Sequence, residues 1–148
     1  MNHEQLKAEL HSTSITCIAY ENYDFFYMSS ERGIRPLFEL CEKNQNRAAL
    51  SVADKVIGKA AALLCAYGNV QTLYTDVVSQ SALRILSHHG IGVAYGEVTE
   101  YIRNRTGDGK CPMEQLSQGT EDPKEMFLRV RGFLAQTDAK RGVSDSAQ

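Results

Sequence analysis

The apolar positions of the chain first follow a helical spacing and then a strand-like one. Leu6 and Leu10 lie four residues apart in a polar segment, which favours a short amphipathic helix. Residues 14–20 and 25–28 are rich in β-branched and aromatic side chains, and the turn-forming residues 21–24 separate them. The N-terminal region is therefore predicted to form a helix followed by a β-hairpin.

Two further helices are predicted after the hairpin. Pro36 can occupy the first turn of a short helix, because its missing N–H is not needed there. Ser51 and Asp54 have the spacing of a capping box, and Gly68 provides a C-terminal stop, so together they predict a helix over residues 52–67. Its second half is apolar on nearly all sides, and we expect it to be buried in the centre of the protein.

Beyond this helix, strand-like and helix-like segments alternate. Residues 70–74 and 91–95 favour strands, and residues 79–88 between them have a helical spacing that ends at Gly90. Such alternation implies parallel strands joined by right-handed crossovers, with the hairpin strands added to the same sheet. The pattern therefore predicts an α/β fold with a mixed sheet.

The last third of the chain predicts two helices that cover the sheet. Residues 103–110 form a Gly-rich polar loop, a helix restarts at Cys111, and a final amphipathic helix begins at Pro123. The residues after 136 contain no periodic apolar set. We therefore expect a single domain over residues 1–136 and a disordered tail over residues 137–148.

Composition narrows the class of protein. The chain has 148 residues, of which 43% are hydrophobic and 23% charged, as is typical of one globular domain. Its net charge of −2 argues against nucleic acid and anionic membranes as partners. The four cysteines have irregular spacings and the apolar runs are too short to span a bilayer. We expect a soluble, cytoplasmic protein with reduced thiols.

Several separated motifs resemble a small, uncharacterised family of bacterial and archaeal proteins. They are residues 54–62 (DKVIGKAAA), 74–79 (YTDVVS), 104–105 (NR) and 111–114 (CPME). The family is a domain of unknown function with a cytidine deaminase-like fold, and the likeness covers residues 12–116. The resemblance implies a three-layer α-β-α sandwich and association into a homodimer or larger homo-oligomer.

A zinc deaminase needs three protein ligands for the metal and a nearby Glu that moves protons. The resemblance places the first signature, His-x-Glu or Cys-x-Glu, near residues 53–57, where the chain reads Ala-Asp-Lys-Val-Ile. The second, Pro-Cys-x-x-Cys, should follow Tyr74, where no cysteine occurs. The oxygens of Asp54, Asp76 and Ser79 are poor ligands for zinc. We therefore expect no metal and no cofactor.

The same region offers groups for a small ligand, because two helix N-termini would present free amides there. Lys59, in an apolar stretch, must reach solvent or pair with a carboxylate, for which Asp76 is the candidate. A structural ion pair or a solvent-exposed lysine is the alternative reading. Our preferred hypothesis is a protein that binds a small polar, nucleoside-like molecule. The residues expected to bind it are Asp54, Lys59, Asp76, Ser79, Arg105, Cys111 and Glu114.

Cys111 suggests a different function. In Cys-Pro-Met-Glu, Cys111 would cap a helix and Glu114 would reach back to the cap amide. A helix N-terminus stabilises a thiolate, so Cys111 could attack an electrophilic carbon while Lys59 or Arg105 holds the developing charge. An ordinary capping cysteine is the alternative. The third hypothesis is a non-catalytic module that binds other proteins.

Overall fold

The computed structural model describes residues 1–104 and 106–140. Its helices are α1 (His3–His11), α2 (Arg35–Lys43), α3 (Lys59–Tyr67), α4 (Gln80–His88), α5 (Pro112–Leu116) and α6 (Pro123–Lys140). Its strands are β1 (Cys17–Glu21), β2 (Asp24–Ser29), β3 (Leu50–Ile57), β4 (Val70–Ser79) and β5 (Gly92–Thr99). None of the helices within the described ranges is long and apolar enough to cross a membrane.

The strands form one five-stranded sheet in the order β2-β1-β3-β4-β5. Strand β1 is antiparallel to both β2 and β3. Strands β3, β4 and β5 are parallel, and α3 and α4 connect them. This arrangement confirms the predicted α/β class and the mixed sheet in which a hairpin extends a parallel unit.

Helices cover both faces of the sheet. On one face, Leu6 and Leu10 of α1 pack with Ile18, Ala53 and Tyr74 of the strands. On the other face, α2, α3, α4 and α6 share a larger apolar core with the sheet. Side chains at alternate strand positions therefore enter two separate cores.

The helix predicted over residues 52–67 is wrong in its first half. Residues 50–57 form strand β3, which lies between β1 and β4, and the helix begins only at Lys59. Ser51 and Asp54 are therefore strand residues, and Gly58 is the N-cap of α3. A central strand buried on both faces has a nearly continuous apolar sequence, which periodicity cannot distinguish from a buried helix.

The other elements are close to their predictions. The hairpin, α1, α2 with its early Pro36 and α4 are all present. Strands β4 and β5 extend four or more residues beyond the predicted ends at 74 and 95. Helix α6 continues to Lys140, so residues 137–140, predicted as tail, are helical, whereas residues 141–148 lie outside the described part of the chain.

Candidate functional site

The carboxyl ends of the parallel strands lie side by side, and each of β3 and β4 leads directly into a helix. The register pairs Ile57 with Val78, so the next residues, Gly58 and Ser79, are neighbours. Gly58 is the N-cap of α3, and Ser79 is the N-cap of α4, where its hydroxyl accepts a hydrogen bond from the Ala82 amide at 3.2 Å. The predicted pair of helix N-termini is therefore found at this edge.

The segment around α5 closes over the start of α3. The Ile102 amide donates to Glu114 Oε2 at 2.6 Å, and the Ile102 carbonyl accepts from the Cys111 amide at 2.9 Å. A Cβ placed on Gly58 would lie 2.9 Å from Ile102 Cγ1 and 3.9 Å from Glu114 Oε2. A side chain at position 58 would therefore force Ile102 to move.

This contact corrects the predicted capping box of α5. Cys111 is the N-cap as expected, but Glu114 binds the Ile102 amide and does not return to the Cys111 amide. The Cys111 amide donates instead to the Ile102 carbonyl. Ile102 therefore binds both the Cys111 amide and the Glu114 carboxylate, which would bind each other in a capping box. The Cys111 side chain is half-buried and forms no capping hydrogen bond.

A cavity of about 290 Å³ opens beside Ile102, at the carboxyl ends of the three parallel strands. Its other lining residues are Val56, Val77, Glu97, Thr99, Tyr101 and Arg103. The two valines give it an apolar floor, and Glu97, Thr99 and Arg103 give it polar groups. A volume near the lower end of the usual range, about 300–1,000 Å³, suits a small molecule.

Basic residues gather around Tyr101 at the rim of this cavity. The Arg103 guanidinium lies 5.5 Å from the centre of the Tyr101 ring, and Lys110 Nζ lies 5.2 Å from it. Arg103 and Lys110 also face each other across an antiparallel bridge. The bridge thus brings Arg103 and Lys110 together, and both cations lie at the ring of Tyr101. Arg105, predicted to bind ligand, lies outside the described residues.

Asp54 does not reach the cavity. It is 7% exposed and points into the larger core, where it pairs with Cys17 in the strand register. Its carboxyl accepts from the Val56 amide at 3.3 Å. Burial raises the pKa of Asp54 to about 7, although the Val56 amide and the Cys17 thiol offset part of the shift. Asp54 is therefore a core acid on the far side of the sheet from Asp76.

Asp76 lies on the opposite face, against α1. Its Oδ1 accepts from His11 Nε2 at 2.7 Å and from the Tyr74 hydroxyl at 2.9 Å. Burial and the hydrogen bond to Asp76 raise the pKa of Tyr74 to about 12. Sequence reasoning missed this cluster, because His11 and Asp76 are 65 residues apart and no local motif links them. The cluster fixes the end of α1 to the sheet.

The predicted pairing of Lys59 with Asp76 is wrong. Lys59 is the first residue of α3, on the face of the sheet opposite to Asp76, and strand alternation could not bring the two together. The positive charge of Lys59 acts instead on the carboxylate of Glu121. The hydrogen bonds from Arg84, and to a smaller extent the charge of Lys59, lower the pKa of Glu121. Of the predicted residues, Lys59, Ser79, Cys111 and Glu114 belong to elements that meet at the carboxyl edge.

The residues at this edge do not fit a catalytic zinc ion. The start of α3 reads Lys-Ala-Ala-Ala. The start of α4 reads Gln-Ser-Ala. Neither offers the nitrogen or sulfur ligands that zinc prefers. Over the ranges that the structure describes, no group of three or more His, Cys, Asp and Glu residues could hold a metal ion.

The fold and this edge define a mixed α/β protein with a largely apolar cavity, rimmed by a few polar groups, at the ends of its parallel strands. Residues 5–134 match the family described as a domain of unknown function (DUF1893), represented by TM1506, and the chain belongs to this family. A solved DUF1893 family protein (TM1506) from Thermotoga maritima is similar, with 25% identity, 87% of each chain covered and a TM-score of 0.79. A comparison with curated proteins finds no match.

Proposed function

We propose that the protein binds a small polar, nucleoside-like molecule in the cavity at the carboxyl ends of β3, β4 and β5. The fold would be a cytidine deaminase-like one that works without catalytic zinc. An antiparallel hairpin followed by strand–helix–strand units agrees with what the sequence resemblance implies. The observation that carries the proposal is the position of the cavity, where open α/β sheets bind their ligands.

The lining of the cavity suits a planar ring that carries polar groups. Val56 and Val77 offer an apolar surface for a ring. The Thr99 hydroxyl donates to the Tyr101 carbonyl at 3.1 Å, so its oxygen can still accept a hydrogen bond. Arg103 can bind an anionic substituent through its planar set of N–H donors. A nucleoside monophosphate would use all three features.

Binding of cytidine and cytidine monophosphate to the full chain, measured by calorimetry, tests the proposal. We expect the monophosphate to bind and to raise the melting temperature, because it binds only the folded protein. Arg103→Ala should weaken monophosphate binding by about tenfold and cytidine binding much less, since it removes a charge-assisted contact. Arg32→Ala, at an exposed residue outside the cavity, is the matched control.

Two outcomes would contradict the proposal. Neither compound would raise the melting temperature if the protein were a non-catalytic interaction module, the third of our sequence-based hypotheses. Equal binding by the Arg103→Ala variant and the wild type would place the ligand elsewhere. The expected homodimer or larger homo-oligomer stays a prediction, which sedimentation of the free protein tests.

The cysteine-dependent enzyme is the second candidate. What favours it is the exposure of Cys111, which is half-buried at the start of α5 next to the cavity segment, whereas Cys17, Cys41 and Cys65 are buried. The described histidines His88 and His89 lie at the end of α4, where their rings contact each other. Because α4 begins at the carboxyl edge and these two histidines lie at its other end, they are not placed to act as a general base for Cys111. The nucleophile hypothesis stays a prediction that thiol reactivity tests.

A further inference from the structure

A second cavity, of about 340 Å³, lies at the other end of the molecule. It is formed where α2 and α3 end and where α6 passes them, near the start of β4. Its principal lining residues are Cys41, Asn44, Arg47, Tyr67, Phe127 and Arg131. None of them belongs to the site at the carboxyl ends of the strands.

One wall of this cavity is a stack of aromatic rings. The Phe127 ring stacks on Tyr67, with 4.6 Å between centroids, and on Phe38, with 4.9 Å. The Arg47 guanidinium lies 5.1 Å from the Tyr67 centroid, and that of Arg131 lies 5.5 Å from the Phe127 centroid. Both cations are therefore held at the same wall by contact with ring faces.

Among the described residues, these two arginines are not paired with a carboxylate, a property that they share with Arg32 and Arg103. Arg35, Arg84 and Arg129 each form an ion pair with Asp or Glu within 4 Å. Among residues 1–104 and 106–140, neither Arg47 nor Arg131 has such a pair. Their N–H donors at the cavity remain suited to a bidentate carboxylate or phosphate from outside the chain.

The backbone holds Arg47 in an unfavourable conformation. Its φ of 57° is in the left-handed region, which residues other than glycine, asparagine and aspartate rarely adopt. Two contacts fix it there: the Arg47 carbonyl accepts from Asn69 Nδ2 at 2.6 Å, and its amide donates to the Asn44 carbonyl at 3.1 Å. Glycine or asparagine would fit this corner more easily, so an arginine there points to a role for its side chain.

The carboxyl ends of α2 and α3 also meet near the cavity, where side chains at the end of α2 donate to carbonyls at the end of α3. Asn44 Nδ2 donates to the Gly68 carbonyl at 2.9 Å, and the Cys41 thiol donates to the Leu64 carbonyl at 3.2 Å. Burial raises the pKa of Cys41 to about 12, so this thiol is neutral. Glu42 is the acidic residue of the lining and opposes two arginines. The cavity therefore has a net positive charge.

We propose that this cavity binds a small aromatic molecule that carries a phosphate or carboxylate group. The guanidinium groups of Arg47 and Arg131 bind the anion. The half-buried ring of Tyr67, which is backed by the buried Phe127 ring, contacts the ring of the ligand. The cavity is separate from the carboxyl-end site, so either proposal can fail without the other.

Amide NMR of the full chain, titrated with phenyl phosphate, benzoate, inorganic phosphate and phenol, tests the proposal. Phenyl phosphate or benzoate should shift the amides of residues 44–48 and 127–131. We expect the better of them to bind at least about tenfold more tightly than phosphate or phenol alone, because each of those lacks one half of the contact. The comparison of phenyl phosphate with benzoate identifies the preferred anion.

Variants at the two arginines show whether the cavity itself is responsible. Arg47→Gly suits the left-handed backbone, and Arg131→Gln keeps a polar helical residue, so both should remain folded. Each should weaken binding by about tenfold, whereas Arg32→Gln should not change it. Unchanged binding in both variants would overturn the proposal. So would shifts confined to residues 97–103, or no shift with either aromatic anion.

Discussion

The two ends of the parallel strands differ in what contacts their polar and charged groups. At the carboxyl end, the chain satisfies its own polar groups, since Glu114 binds the Ile102 amide and Ser79 caps α4. At the amino end, Arg47 and Arg131 lie on aromatic rings. The carboxyl end is where α/β sheets commonly bind ligands, yet here α5 covers part of it. A cavity can therefore lie where α/β sheets commonly bind ligands while two arginines that, among the described residues, are not paired with a carboxylate lie at the other end of the strands.

The largest effect that we expect concerns Asp54, the buried acid near the carboxyl end of β3. Its pKa is raised from 3.8 to about 7, so the folded protein binds a proton that the unfolded chain releases. The stabilisation is complete below about pH 4 and is lost as pH rises towards about 7. The free energy of unfolding should fall by up to about 4 kcal/mol over this range.

Chemical denaturation of Asp54→Asn at about pH 5 and about pH 8 measures this contribution. The variant should lose most of the pH dependence and should be more stable than the wild type at the higher pH. Asp24→Asn, at an exposed strand residue, is the control and should keep the wild-type pH dependence. Parallel curves for the wild type and Asp54→Asn would show that the buried acid is not responsible.

The next largest difference that we expect between the two ends is in the rate at which their cysteines are alkylated. Cys111 is half-buried at the carboxyl end, whereas Cys41 is buried beside the amino-end cavity and donates to the Leu64 carbonyl. Iodoacetamide should modify Cys111 at least about 100-fold faster than Cys41, because the buried thiol reacts only after local unfolding. Peptide mass spectrometry over a time course measures both rates in one sample.

Thiol reactivity also tests the proposed nucleophile. If Cys111 reacts with electrophilic substrates, Cys111→Ser should abolish turnover while the melting temperature stays close to that of the wild type. Cys17 and Cys65 serve as internal controls in the same digest, because both are fully buried. Modification of Cys41 as fast as Cys111 would show that the amino-end cavity is more open than the carboxyl-end segment, which reverses the comparison.

Sequence reasoning succeeded where the signal is local. The hairpin turn, Pro36 at the start of α2, Ser79 at the start of α4 and Cys111 at the start of α5 each depend on neighbouring residues, and all are confirmed. The error in β3 has a physical cause, since a strand buried on both faces shows no alternation. The extent of β3 follows from its partners β1 and β4, which sequence periodicity does not identify.

The candidate sites were harder to predict, because they depend on which face a residue occupies. Asp54 and Asp76 were expected together, but strand alternation and the positions of the helices place them on opposite faces of the sheet. The amino-end cavity joins Arg47 and Arg131 from distant parts of the chain, and no motif marks either. The left-handed φ of Arg47 cannot be read from the sequence.

The smallest effect that we expect is a difference in the free energy of unfolding between alanine variants of the two glycines that flank α3. A Cβ on Gly68, at the amino end, would lie 2.9 Å from Cys41 Sγ and 3.3 Å from the Leu64 carbonyl, in a fixed part of the core. A Cβ on Gly58, at the carboxyl end, would lie 2.9 Å from Ile102 Cγ1, in a half-buried loop. We expect Gly68→Ala to lower the free energy of unfolding by about 2 kcal/mol and Gly58→Ala by about 1 kcal/mol.

Urea denaturation of both variants measures this difference, with Gly132→Ala as a control that meets no atom within 4 Å and should stabilise α6 slightly. The smaller cost at Gly58 depends on the segment from Ile102 to α5 moving aside. That movement would open the carboxyl-end cavity, so Gly58→Ala should also increase the alkylation rate of Cys111, whereas Gly68→Ala should not. An equal cost at both glycines, with no change at Cys111, would mean that α5 is as firmly packed as the core.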